Sequence, residues 1–274
     1  MKRSTRAVIA KDTLAILKKG SYQNKLNQPV HLAKAQRQAE QQTFLYEPEP
    51  LLELLQKPLP DAPSVNTEFV VNALSTLDSV RAQYPHDPNL VCLNFASAKN
   101  PGGGFLNGSQ AQEESLARAT GLYPCQLKAE NYYKTNRKFS SCLYTGHIIY
   151  SPNVPILKDE KGQLLDELVF SSMITAPAVN AGAVQRNEPQ NVKKINQFMQ
   201  RRMEMVFAIC KQQKHETLIL GAWGCGVFQN EPALIARLFK ELLFGKYKNQ
   251  FKRVVFSIYA KEERFIKPFY AEFG

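Results

Sequence analysis

The sequence predicts an α/β layered domain with a mixed, largely parallel central sheet, and three observations carry that reading. From residue 63 onward, short apolar runs alternate with stretches of helical periodicity. The runs are apolar on both faces, as strands covered by helices on each side must be. Two of them end in glycine-rich loops that lead into helices, and ligands of such sheets settle at the carboxyl ends of strands.

Each element follows from local pattern. "STRAVIAKDTLAILKKGSYQN" sets Val8, Ile9, Leu14, Ile16 and Leu17 on one helical stripe, with Ser4 or Thr5 as the expected cap and Gly20 as the stop. Residues 33–62, rich in Gln, Glu and Pro, read as a polar helix, a flexible proline-broken connection and a short second helix. The strands are "EFVVNA", "LVCLNFAS", "HIIYSPNV", "LVFSSMITAP", "TLILGAW" and "RVVFSIYA". The helices are "STLDSVRAQ", one beginning near Ala111, "NVKKINQFMQRRMEMVFAICKQQ", "EPALIARLFKELLFGK" and a short turn after Lys261. This divides the chain into an N-terminal helical extension, 1–62, packed on a main domain, 63–274.

Composition narrows the partners. A formal net charge of +11 favours anions such as nucleotides, although the basic residues are spread along the chain and no nucleic-acid-binding motif is present. Five cysteines without a CxxC pair and four histidines without HxxxH spacing point to reduced thiols and no metal site. The apolar run near the N-terminus stops at Lys11 and Asp12, too early for a signal-peptide core, and no stretch reaches the roughly 18 apolar residues of a membrane span. A cytoplasmic protein is expected. An effector secreted into a host cell would have the same composition.

The two loops are "NPGGGFLNGSQAQEESLARATG" and "GAWGCGVFQNEPALIARLF". Each presents bare backbone before a helix N-terminus, where free N–H groups and the helix dipole favour phosphate. Neither is a Walker sequence, since no Gly-Lys-Ser/Thr follows, and neither fits GxGxxG, because the first has Asn107 at the sixth position and the second runs GxxGxG. Two such loops in one domain suit an anion with two ends, such as a dinucleotide or a nucleotide sugar. The second helix is expected to be capped near Asn230. Ser109 and Gln112 have capping-box spacing, and Glu113 and Glu114 then occupy a first helical turn. Successive helical residues point about 100° apart, so one carboxylate at most is expected to face the loop squarely.

"NFASAKNPGGGFLNGSQAQEESLARATGLYP" resembles the signature of the bacterial-type poly(ADP-ribose) glycohydrolases, a macrodomain family marked by GGG, a short spacer and QEE. "GAWGCGVFQNEP", "MITAPAVN" and the opening "RAVIAKDTLAILKKGSY" are similar to further parts of that family, so the resemblance spans nearly the whole chain. It implies a three-layer α/β/α macrodomain, no cofactor, and ADP-ribose, its polymer or an ADP-ribosylated protein as ligand. It implies that Glu114 is the catalytic acid/base and that Glu113 binds hydroxyls of the sugar being cleaved. Asn94 would hold the distal ribose, and Gly102, Gly103, Gly104 and Gln112 would line the ligand. Gly224, Cys225, Gly226, Val227 and Phe228 would close over the diphosphate. Leu74 and Ser75 depart from the family's polar pattern, which leaves Asn72 and Asp78 as the candidates for adenine contacts.

Cleavage passes through an oxocarbenium-like state, so the leaving oxygen needs a proton while charge builds on the sugar. Glu114 is expected to supply that proton and then accept one from water, the substrate's phosphates and loss of water favouring its acid form only once ligand binds. A hydrolase acting on the polymer is expected. Hydrolysis of mono-ADP-ribosylated protein, or ADP-ribose binding without turnover, is the alternative.

Overall fold

In the computed structural model, which describes residues 1–59 and 66–274, the chain opens with helix α1 (Arg3–Lys19) and the hairpin β1 (Ser21–Gln23) and β2 (Pro29–His31). Helix α2 (Ala33–Gln42), strand β3 (Phe44–Tyr46) and helix α3 (Pro48–Gln56) follow. Next come β4 (Glu68–Asn72), α4 (Thr76–Gln83), β5 (Val91–Phe95), α5 (Gln112–Ala119), α6 (Leu122–Lys128) and α7 (Glu130–Lys138). Strands β6 (Ile148–Lys158) and β7 (Leu164–Ala176) precede α8 (Ala181–Asn187) and α9 (Ile195–Gln212). The chain closes with β8 (Thr217–Leu220), α10 (Pro232–Phe244), β9 (Arg253–Ser257) and α11 (Lys267–Phe273).

The main sheet has seven strands in the order β3-β6-β7-β5-β8-β9-β4. β5 pairs in parallel with both β7 and β8, and β9 with both β8 and β4, while β3/β6 and β6/β7 are antiparallel. The carboxyl ends of β7, β5, β8, β9 and β4 therefore share one edge. β5 shows why its run is apolar throughout. Cys92 packs with Leu77, Leu116 and Leu122 on one side, and Val91 and Leu93 face the cluster of Phe207 and Phe239 on the other. Helices thus cover both faces, giving three layers.

All six expected strands form at the runs that predict them, β6 extending past its run to Lys158 and β7 beginning ahead of its run at Leu164, and the expected helices form as well. Gly20 stops α1 as expected, in the left-handed region at φ 81°, its N–H donating to Ile16 O at 2.8 Å. The expected caps differ. α1 begins after Lys2 and α10 after Glu231, neither with a side-chain cap. Strand β3 stands where a broken connection was expected; Phe44 and Tyr46 pair with Tyr150 and Ile148, so the N-terminal region supplies an edge of the sheet. The boundary proposed between residues 62 and 63 lies outside the described residues.

A buried cation fastens α1 to the sheet. Lys158, on β6, has a side chain only 1% exposed, and its Nζ donates to Asp12 Oδ2 at 2.6 Å, Thr13 Oγ1 at 2.8 Å and Ile9 O at 3.3 Å. Burial pulls the ammonium pKa down and the Asp12 carboxylate pulls it back up. Thr13 in turn donates to Arg118 O at 2.5 Å, joining α1 to α5. Asp12→Ala leaves the buried ammonium without its counter-charge, and a loss of about 1–3 kcal/mol in urea unfolding is expected. An unchanged midpoint would show that the two backbone and hydroxyl acceptors suffice.

Candidate active site

The loop after β5 is short of side chains for a steric reason visible in the fold. Gly103 has φ +59°, and a Cβ there would overlap the Glu114 carboxylate, lying 3.0 Å from its Cδ and 3.2 Å from Glu113 Oε2. The next amide, Gly104 N–H, donates to Glu114 Oε1 at 2.9 Å. Both carboxylates therefore reach the loop, against the expectation of one. The helical offset between them is spanned by the length of the two side chains.

The two acids differ in environment. Glu114 is partly exposed, whereas Glu113 is 2% exposed. Glu113 accepts from Ser97 N–H at 2.7 Å, Gln126 Nε2 at 2.9 Å and Asn94 Nδ2 at 3.2 Å. Burial pushes its carboxyl up to about 8; the three donors oppose the rise and the Glu114 charge adds to it. Donor geometry favours the carboxylate, but desolvation outweighs it and favours the acid.

Asn94, expected at the distal ribose, is fully buried beneath Glu113, with Nδ2 also donating to Thr175 Oγ1 at 3.1 Å. From there it orients Glu113. Gln112, expected to line the ligand, has its amide committed to protein: Oε1 accepts from Phe95 N–H at 2.8 Å, and Nε2 donates to Leu93 O at 2.7 Å and Thr76 Oγ1 at 3.1 Å. It fixes the start of α5 to the end of β5. No capping box forms, because the N-cap is Ala111 and Gln112 is occupied elsewhere. Asn72 and Asp78 are likewise used locally, Asn72 Oδ1 accepting from Leu74 N–H at 3.0 Å and Asp78 bonding to the α4 cap Ser75.

The second loop leaves the neighbouring strand β8. Gly224, at φ +76°, has no room for a Cβ, which would lie 2.6 Å from Asn230 Nδ2. Asn230 is no helix cap; its Nδ2 donates to Val179 O at 2.7 Å and Gly224 O at 3.1 Å, tying the loop to the segment after β7. Cys225 is buried, so its backbone alone is presented, while Gly226 and Val227 are exposed. Phe228 is half-buried with its ring 5.9 Å from that of Tyr144. Arg202, buried on α9, holds this wall by donating to Pro177 O, Leu143 O and Thr145 O, each at 3.0 Å.

Sequence reasoning missed Gln126, Thr175, Tyr144 and Arg202. Each is a single polar or aromatic residue inside an apolar stretch or a loop, and its role depends on partners 13 to 81 residues away or more, as for Gln126 with Glu113 and Thr175 with Asn94. Among the described residues, no three His, Cys, Asp or Glu side chains are grouped to hold a metal ion, and no helix is long and apolar enough to cross a membrane.

Fold and site together define a macrodomain-type α/β protein with an acidic pair set into a glycine loop at the carboxyl edge of its sheet. Residues 10–159 match the family model of the microbial-type PARG catalytic domain, PARG being poly(ADP-ribose) glycohydrolase. Among solved structures, the poly(ADP-ribose) glycohydrolase of Thermomonospora curvata superposes with a TM-score of 0.95 at 36% identity, covering 98% of this chain and 100% of that one. The same enzyme bound to the inhibitor ADP-HPD gives a TM-score of 0.90 at 36% identity over 98% of each chain. The Deinococcus radiodurans enzyme in complex with ADP-ribose gives 0.83 at 41% identity, over 86% of this chain and 96% of that one. Curated proteins give no match. The chain belongs to the microbial-type poly(ADP-ribose) glycohydrolase family, whose members are glycosidic-bond hydrolases.

Two outcomes follow from this geometry. Gly103→Ala is expected to displace the Glu114 carboxylate and lower kcat about a hundredfold, since misplacing a reacting group by about 1 Å costs that much; steady-state assay of released ADP-ribose checks it. For Glu113, the folded protein holds a proton up to about pH 8 that the unfolded chain releases near 4.5, so its contribution to stability falls as pH rises through that window. Glu113→Gln should remove that slope, up to about 1.4 kcal/mol per pH unit, from unfolding curves measured between pH 5 and about 8. An identical slope in the variant would assign it to other groups.

Proposed function

We propose that this protein cleaves the glycosidic bond at the distal ribose of poly(ADP-ribose) and releases ADP-ribose, with Glu114 as the acid/base. The observation that carries this reading is the partly exposed Glu114 carboxylate pinned by the Gly104 N–H at 2.9 Å, with buried Glu113 beside it. The polymer as substrate is supported by membership of the family and by relatives solved with ADP-ribose and with ADP-HPD.

The chain's own groups suffice for the steps. The backbone of the second loop from Gly226 to Phe228 receives the diphosphate with its N–H groups, and the bare first loop, whose Gly103 and Gly104 amides are already bonded within the protein, allows close approach from the other side. Phe228 packs against the sugar, and Glu113 orients its hydroxyls. As the bond from the anomeric carbon to the leaving oxygen breaks, Glu114 gives that oxygen its proton while the diphosphate offsets the charge on the ring. Water then adds to the anomeric carbon and Glu114 takes back a proton, which restores the starting state. Asn94, Gln112 and Gln126 hold the two acids in place.

The decisive test sets wild-type protein beside Glu114→Gln with automodified poly(ADP-ribosyl)ated protein and with mono-ADP-ribosylated protein, assaying free ADP-ribose. Wild type should act on the polymer, and the variant should lose about a hundred- to ten-thousandfold in kcat, the range of general acid/base contributions. Release from the mono-modified protein alone would make the enzyme a mono-ADP-ribosyl hydrolase. Release from neither would make it a binding protein.

A further inference from the structure

We infer that Lys99, Arg137 and Arg186 form a basic rim that takes the departing part of the substrate, the diphosphates of further ADP-ribose units, and so favours polymer over a single ADP-ribosyl group; this rests on the glycohydrolase reading. Lys99 lies three residues before Gly102, on the loop that holds Glu114. Arg137, near the end of α7, donates from Nε to Lys99 O at 2.8 Å. Arg186, in the last turn of α8, reaches Gln229 Oε1 at 3.5 Å, next to Phe228 in the second loop. The two groups of cations are thus attached one to each glycine loop. The Cys142 thiol feels the charge of both Lys99 and Arg186.

All three are exposed, and none forms a salt bridge among the described residues. Of the carboxylates on this side, Glu188 is committed to Ser141 Oγ, to Cys142 N–H at 2.6 Å and to Asn191 Nδ2 at 2.8 Å, and Glu130, which feels the Arg137 charge, is paired with Lys134. Exposed cations without counter-ions raise the local concentration of an incoming anion. The far side of the same edge has the opposite character. Leu74 after β4 and Tyr259 after β9 are 44% and 74% exposed, and Arg81 and Arg264 nearby are paired with Asp78 and Glu262, leaving Lys261 as the unpaired cation there. A nucleotide base suits that apolar side. With adenosine there and the diphosphate between the glycine loops, the distal ribose meets Glu114 and its leaving oxygen points toward the rim. A polymer leaving group carries a diphosphate dianion at each further unit. A neutral phenol carries none.

The test compares wild type with the triple variant Lys99→Gln, Arg137→Gln, Arg186→Gln on poly(ADP-ribose) and on 4-nitrophenyl ADP-ribose, at low and at high salt. Polymer kcat/KM is expected to fall about tenfold at low salt, as for loss of a few phosphate contacts, with the gap closing as salt rises. The aryl substrate should stay within about twofold, and Arg137→Lys, which keeps the charge, should retain polymer activity. A parallel loss on both substrates, or no loss on polymer, overturns the inference. An equal loss on mono-ADP-ribosylated protein overturns it too, assigning the rim to the acceptor protein. Wild type that turns over the aryl substrate but not polymer would sink the glycohydrolase reading itself, a result distinct from all of these.

Discussion

The site depends on one steric fact: two carboxylates and a stretch of main chain occupy space that a single Cβ at residue 103 would take away. Because Gly103 lacks that atom, the Gly104 amide can reach Glu114, and the helix bearing both acids can start directly against the loop. Gln112 fixes the approach from the other side by bonding to both the N–H of Phe95 and the carbonyl of Leu93. The glycines thus serve the acids before they serve any phosphate. This accounts for a costly run of flexible residues in an ordered loop, since the contact they permit is not available to any other residue type.

Around that contact the protein arranges contrasting surroundings for chemically identical groups. Glu113 is withdrawn from water among Ser97, Gln126 and Asn94, while Glu114 stays at the surface of the crevice. Paired acids with environments that pull apart are how one fold assigns separate tasks to the same side chain. The second loop is stiffened by different means, the Asn230 amide on one side and the buried Arg202 guanidinium on the other. Arg202 has four backbone carbonyls and no carboxylate within its hydrogen bonds, and burial brings its pKa down to about 10.

Much of this was legible in the sequence, where the signal was local. The strands and their glycine-loop exits announced themselves through apolar runs and through residues that only backbone needs explain, and the GGG and QEE groups marked the acids. What was not legible depends on distance. Gln112 sits beside the motif like a ligand contact, yet its amide is consumed by partners on the protein side, and Asn94 bonds through Nδ2 to Glu113 and Thr175. Gln126 and Thr175 give no sign of their roles until α6 and β7 are folded against β5. Strand β3 has three residues, too few for a period to show, and is defined by its pairing with Tyr150 and Ile148. The N-terminal region, expected as a helical extension packed on the main domain, is tied to the sheet through Lys158 and contributes strand β3 to it.

The position of β5 also governs when the enzyme can exist. Its neighbours β7 and β8 are both translated after it, and Arg202 and the second glycine loop later than β7. A nascent chain that has just emitted the acidic pair has no sheet to hold it, because pairing must wait for segments some 80 to 130 residues downstream, such as Ser172 and Leu218 for Val91. Long-range parallel pairing of this kind is slow and comes late. Hydrolytic competence therefore switches on near the end of synthesis, so truncated products of an interrupted ribosome would carry the motif without the chemistry.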